Sequence, residues 1–181
     1  MVALERYLNS FGKYVVKQSR ANLTRKKKNL TKELYNSLEF KVVKTPKGFS
    51  VLFFMANYGT FIDKGVSGTK KINEYITYDG RKVESPYKFG TGSSRVGKAK
   101  GGMSGIMAKW VQKKGFQWKD KKTGRFMSYK SMGYLIARSI YSRGLKSTSF
   151  FQRPLQLRMK NFYKEVGEAI KVDILNNLRQ I

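Results

Sequence analysis

Gly92, Gly97 and Lys98 in the stretch GSSRVGKAK stand at the spacing of a phosphate-binding loop, G-x-x-x-x-G-K-[ST]. Ala99 occupies the position of the hydroxyl that would ligate magnesium. A working loop of this kind needs a strand before it and a helix directly after it, so that backbone amides cradle the phosphates. SPYKFGT precedes Gly92 and is too short and broken for a buried strand, while AKGGMSG follows Lys98 and cannot start a helix promptly. No apolar run ending in Asp supplies a second magnesium site. The stretch therefore reads as a flexible basic loop and not as a nucleotide site.

Other catalytic chemistry is thin. The chain has no His and no Cys, which removes the usual general base, thiolate metal sites, disulfides and every triad built on histidine. Asp63, Glu74, Asp79 and Glu84 fall in one irregular region, but their spacing matches no oxygen-ligand loop, and they read as surface acids. Glu165 and Glu168 lie one turn apart on a helix face. No enzyme activity, cofactor or metal is expected.

Charge is the outstanding property. Against 38 Lys and Arg there are 11 Asp and Glu, a formal net charge of +27 over 181 residues. Such a chain should bind a polyanion or sit against an acidic partner. No acid occurs between Arg6 and Lys32, a stretch that contains Arg25, Lys26, Lys27 and Lys28. From Lys88 to Lys164 Asp120 is the one acid against nineteen Lys and Arg, including Arg95, Lys98 and Lys100. Ordinary surfaces intersperse both signs. Aromatic residues are interleaved with these cations in YKFGTG, KKGFQWKDKK and RFMSYK. They offer faces on which single-stranded bases could stack. Phe116 and Trp118 alternate as on a strand, however, and are read as core of a small domain.

The elements that must position these residues follow from periodicity. Residues 3–38 read as helix, from Leu4, Leu8, Phe11 and Val15 and then Leu23, Leu30, Leu34 and Leu38, either as one rod or as two with a break near Ser19–Asn22. EFKVVK and FSVLFFMA form a hairpin about Pro46 and Gly48. Phe49, Val51, Phe53 and Met55 share one strand face, and Leu52 with Phe54 the other, so the second strand is expected to be covered on both sides. Tyr75, Ile76 and Tyr78 before Asp79-Gly80 suggest a small hairpin with the residues near Val83. A helix is predicted from Ser104 to about Lys114, a turn at DKKTGRF, and a helix from about Ser128 to Arg143 stopped by Gly144. Pro154 opens a long final helix with a stripe from Leu155 to Leu178. The fold class expected is α+β, one domain over 1–181. It has a long N-terminal helix, a small antiparallel sheet, C-terminal helices packed on the sheet, and a glycine-rich basic insertion over 57–128. No run reaches the ~18 apolar residues a membrane span needs. MVALERYLNSFGKYVV lacks a signal peptide's apolar core, and a soluble protein made in a cytoplasm is expected.

One family pattern is present. Tyr58-Gly59-Thr60-Phe61-Ile62-Asp63-Lys64-Gly65-Val66-Ser67-Gly68 resembles a segment found after the helix and hairpin of tailed-phage head–tail joining and tail-completion proteins. Gly144 and Phe150-Phe151-Gln152-Arg153-Pro154 resemble the turn that leads into the final long helix of that family. The aromatic-Gly-Thr-Gly ending usual after the first segment appears only later, at Phe89–Gly92, and residues 69–128 exceed the usual insertion. The resemblance implies a non-catalytic virion protein of the neck, in a homo-oligomeric ring beside portal, connector or tail proteins. Tyr58, Gly59, Phe61, Asp63, Gly65, Gly68, Phe151 and Pro154 would belong to assembly and fold. Arg25, Lys26, Lys27, Lys28, Arg95, Lys98 and Lys100 would face packaged DNA, without reading sequence, or an acidic partner. The reading left beside it is a monomeric, sequence-independent nucleic-acid-binding protein.

Overall fold

The computed structural model describes residues 2–28, 31–46, 48–90 and 102–179. It is α+β, as expected, and the chain divides into two compact units. The first comprises 1–64, 74–83 and 147–181, and the second 65–73 and 84–146.

In the first unit α1 runs from Val2 to Arg25 without interruption. It does not break near Ser19–Asn22, because Ser19 is buried and Asn22 donates its side-chain amide to Phe150 O at 3.2 Å. The break comes after Arg25. Four consecutive cations crowd there, Lys27 takes a left-handed backbone (φ 53°), and the short α2 (Glu33–Asn36) follows. The chain turns back so that Leu23, Leu34 and Leu38 reach one core.

Strands β1 (Glu39–Thr45) and β2 (Gly48–Phe54) form the expected hairpin, in register from Glu39 opposite Phe54 to Thr45 opposite Gly48. Its inner face gives Phe40, Val51 and Phe53 to the core with Phe11, Val15 and Val16 of α1. The outer face is not covered, contrary to expectation: Leu52 is 45% and Phe54 50% exposed. Strand alternation puts these two opposite Phe53, and α1 packs on one side only.

Six residues of the stretch read as irregular form α3 (Gly59–Lys64). The small hairpin is β4 (Glu74–Ile76) with β5 (Lys82–Glu84), as Asp79-Gly80 suggested.

The single final helix is two: α6 (Gln152–Met159) and α7 (Phe162–Leu178), parted at Lys160–Asn161. Phe151 meets Phe53 of the sheet at 5.3 Å between ring centroids, and Phe162 meets Phe11 at 5.1 Å. The apolar stripe of α7 ends sooner than Leu178. Asp173 takes the next position on the inner face and is buried, accepting the backbone N–H groups of Ala3 at 2.9 Å and Leu4 at 3.0 Å. It caps the first turn of α1, whose amides lack helical partners. Ile174 and Leu178 are turned away and exposed.

The second unit holds β3 (Val66–Ser67), α4 (Gly102–Lys114), α5 (Tyr129–Arg143) and β6 (Gly144–Leu145), with β3 antiparallel to β6. Ser128 caps α5 by accepting Ser131 N–H, and Gly144 ends it at φ 76°. Helices α4 and α5 pack closely at Gly133, where a Cβ would lie 2.5 Å from Ser104 O and 2.6 Å from Ala108 N.

Candidate nucleic-acid interface

The cations at the end of α1 sit on its last turn and just beyond. The N–H of Lys26 bonds Asn22 O at 3.0 Å and that of Lys28 bonds Leu23 O at 2.9 Å, so this run closes the helix. Arg25 Nη2 donates to Asn22 Oδ1 at 2.7 Å. Lys26 Nζ donates to Thr148 O. Burial, then the positive charges of Arg25 and Arg153, hold the Lys26 ammonium below the usual lysine range, with Asp63 opposing them.

Tyr14, Gln18, Asn22 and Arg25 recur at helical spacing along one side of α1. With Lys26 of the following turn and Arg153 and Leu157 of α6 they line a groove of about 550 Å³. Its polar floor and crowded cations suit an anion such as a phosphate, whose charge would offset the repulsion among Arg25, Lys26 and Arg153. Arg153 was not legible as a member of this set, since only folding carries α6 to α1. On another side of α1 Arg20 ties the helix to the chain beyond it. Its Nε donates to Tyr35 O at 3.0 Å and its Nη2 to Leu38 O at 2.9 Å.

Arg95, Lys98 and Lys100, with the rest of the near phosphate-loop match from Gly92, lie outside the described residues.

The two segments that carry the family resemblance meet inside the first unit. Gly59 opens α3, with Leu34 and Met55 packed where a Cβ would stand. Tyr58 and Phe61 are exposed. Asp63, expected on the surface, is buried. Its Oδ1 accepts the N–H of Phe151 at 2.8 Å and of Gln152 at 3.4 Å, capping α6. Ser149 N–H and Ser147 Oγ both donate to its backbone carbonyl, at 3.0 and 2.7 Å. Burial pushes the Asp63 carboxyl up, and the two amides pull it down. Pro154, fully buried, stands in the first turn of α6, where no N–H is needed. Gly65 has φ 76°. Gly68, in the second unit, lies against the backbone of Ser142 and Gly144 with no room for a side chain.

Among the remaining acids, Glu74 pairs with Lys82 at 2.6 Å, Asp79 with Arg81 at 2.6 Å, and Glu165 with Arg158 at 3.2 Å. Among the described residues no three carboxylates converge on a point that would hold a metal ion. No helix among them is long and apolar enough to cross a membrane.

Of the two aromatics read as core, Trp118 is 43% exposed and Phe116 is only partly covered. In the same unit Trp110 is 38% and Phe126 63% exposed. Folding does not enclose Phe116, Trp118 and Phe126 because their ribbon, 116–127, is two short segments joined by one isolated bridge, Lys119 to Phe126.

No protein family matches this chain, and no curated protein or solved structure matches it.

Proposed function

We propose that this chain is a structural protein of a tailed-phage neck, a head–tail connector or tail-completion ring around the DNA channel. The observation that carries the reading is the junction at Asp63. The two segments that resemble the family are separated by more than eighty residues, yet they interlock through the Asp63 cap on α6. They follow a long first helix and a hairpin in the family's order. The charge supports the same reading. A ring lining a DNA path needs lysines and arginines that attract phosphates without fixed geometry, and the groove between α1 and α6 supplies several. The protein works in the virion, after assembly in the host cytoplasm, beside portal, connector or tail proteins.

The test is assembly. The purified chain, mixed with the virion proteins encoded beside it, is expected to form a closed ring by native mass spectrometry. It should also bind duplex DNA weakly, with no sequence preference and a steep salt dependence. Replacing Arg25, Lys27, Lys28 and Arg153 together by Ser should flatten the log K against log salt slope by about 0.9 for each phosphate that is no longer neutralised. A chain that stays monomeric with those partners and is missing from mature particles would overturn the reading. It would leave the monomeric nucleic-acid-binding alternative, which the exposed aromatics favour.

A further inference from the structure

Helix α4 ends at Gly115, whose N–H reaches Val111 O and Gln112 O at 3.1 Å and whose φ of 70° throws the chain back. The Phe116 ring is thereby set edge-on to Trp110, with centroids 5.8 Å apart at 84°. Trp118 continues the series at 6.2 Å and 38° from Phe116. The ribbon behind it is held by Met127 N–H to Trp118 O and Asp120 N–H to Arg125 O, both 2.8 Å. Lys119 Nζ stands 5.2 Å from the centre of the Phe126 ring.

Asp120, the one acid in the sequence from Lys88 to Lys164, is committed to the turn. The Asp120 carboxylate accepts the N–H groups of Lys122 at 2.8 Å and Thr123 at 3.0 Å. Seven Lys and Arg occur from Lys109 to Arg125. Among the described residues none of the seven makes an ion pair with a carboxylate. Flat rings on the end of α4 and the ribbon after it, both tryptophans exposed, with cations that make no ion pair among the described residues, match a ligand that is both anionic and planar. An apolar protein surface would have to dehydrate those cations to reach the rings. A duplex would offer phosphates only, because its bases are already stacked on one another.

We propose that Trp110, Phe116 and Trp118 form a stacking platform for the unpaired bases of single-stranded nucleic acid, with the surrounding lysines on its phosphates. Each base has a π-face, so binding is tolerant of sequence. The site is independent of the neck assignment and stands whether the chain works in a ring or alone.

Trp110 and Trp118 are the only two tryptophans in the protein, so its intrinsic tryptophan fluorescence reports on this platform alone. The full chain is titrated with oligothymidine of ~15 nucleotides, the upper range for one binding module, with oligouridine of equal length, and with a duplex carrying the same number of phosphates. Oligothymidine is expected to quench saturably and to bind at least about tenfold more tightly than the duplex. Equal binding of oligouridine marks a platform indifferent to the sugar, and weaker binding marks a DNA site; both support stacking. Trp118→Ala should lose about fivefold or more in affinity for the single strand while keeping the parent's salt slope, because every cation that meets a phosphate is still present. Trp118→Phe should retain most of the affinity and guards against loss of fold, which circular dichroism checks in both variants. Binding without quenching, equal affinity for single strand and duplex, or parental affinity in a folded Trp118→Ala would each overturn the proposal. None of these results bears on ring assembly, which is read separately by native mass spectrometry.

Discussion

Asp63 is pulled two ways. Burial opposes its charge, while the amides of Phe151 and Gln152 call for an acceptor that does not have to be charged. Asp63→Asn keeps an acceptor oxygen and removes the buried charge, so it should fold with nearly parental stability. Asp63→Ala leaves the Phe151 N–H buried without a partner, a loss of about 1–3 kcal/mol. Urea midpoints followed by circular dichroism separate the two; equal losses in both variants would mean that the charge itself is needed. As an acid in a short motif Asp63 was visible in the sequence, but its burial was not, because its partners are backbone amides 88 and 89 positions away. Asp173 was harder still. Among the apolar residues of α7 it looks like an interruption of the stripe, when it is the residue that finishes the inner face. Trp118 was misread for the opposite reason, since strand-like alternation says which residues share a side but not whether anything covers that side.

At the scale of elements, local signals were dependable and junctions were not. The hairpin, the helix start near Ser128, the Gly144 stop and the small hairpin at Asp79-Gly80 all follow from residues within one turn of the feature. The ends of α1 and α6 depend on which core the following apolar residues must reach, and periodicity alone runs through both breaks. The packing of α4 on α5 was likewise hidden, because it rests on a missing side chain at Gly133. Gly133→Val must push the α4 backbone away from α5 and should cost about 1–3 kcal/mol, as overpacking usually does. The loss should appear in tryptophan fluorescence, since Trp110 rides on α4. An unchanged fluorescence midpoint would mean that the two helices part without penalty.

For the molecule as a whole, charge was the property most fully legible, and it is the ground for expecting an anionic partner. Stability against acid depends on fewer groups. The Leu4 and Ala3 amides hold the Asp173 carboxyl below the usual carboxylate range, while the unfolded chain titrates it near 3.9. A depressed folded value makes the clamp fully stabilising above the unfolded value, and that stabilisation is lost as pH falls through the folded one. Asp63, raised by burial, has the opposite sign and gains as it takes up its proton. Asp173→Asn should therefore unfold at lower urea than the parent at pH 7, and the gap should narrow as pH falls below the unfolded value of about 3.9. A gap that persists in acid would mean that the side chain's shape matters and its charge does not. The same clamp joins residues 170 positions apart, and it dictates an order of events at the ribosome. Helix α1 emerges first but meets its partner last, after the whole of 84–146 has been made and has had time to settle. Until then the core on α1 is closed only by α2 and the β1–β2 hairpin, and its side toward Phe150, Phe151 and Phe162 stays open for the time it takes to add those residues, roughly ten seconds at 5–20 residues per second.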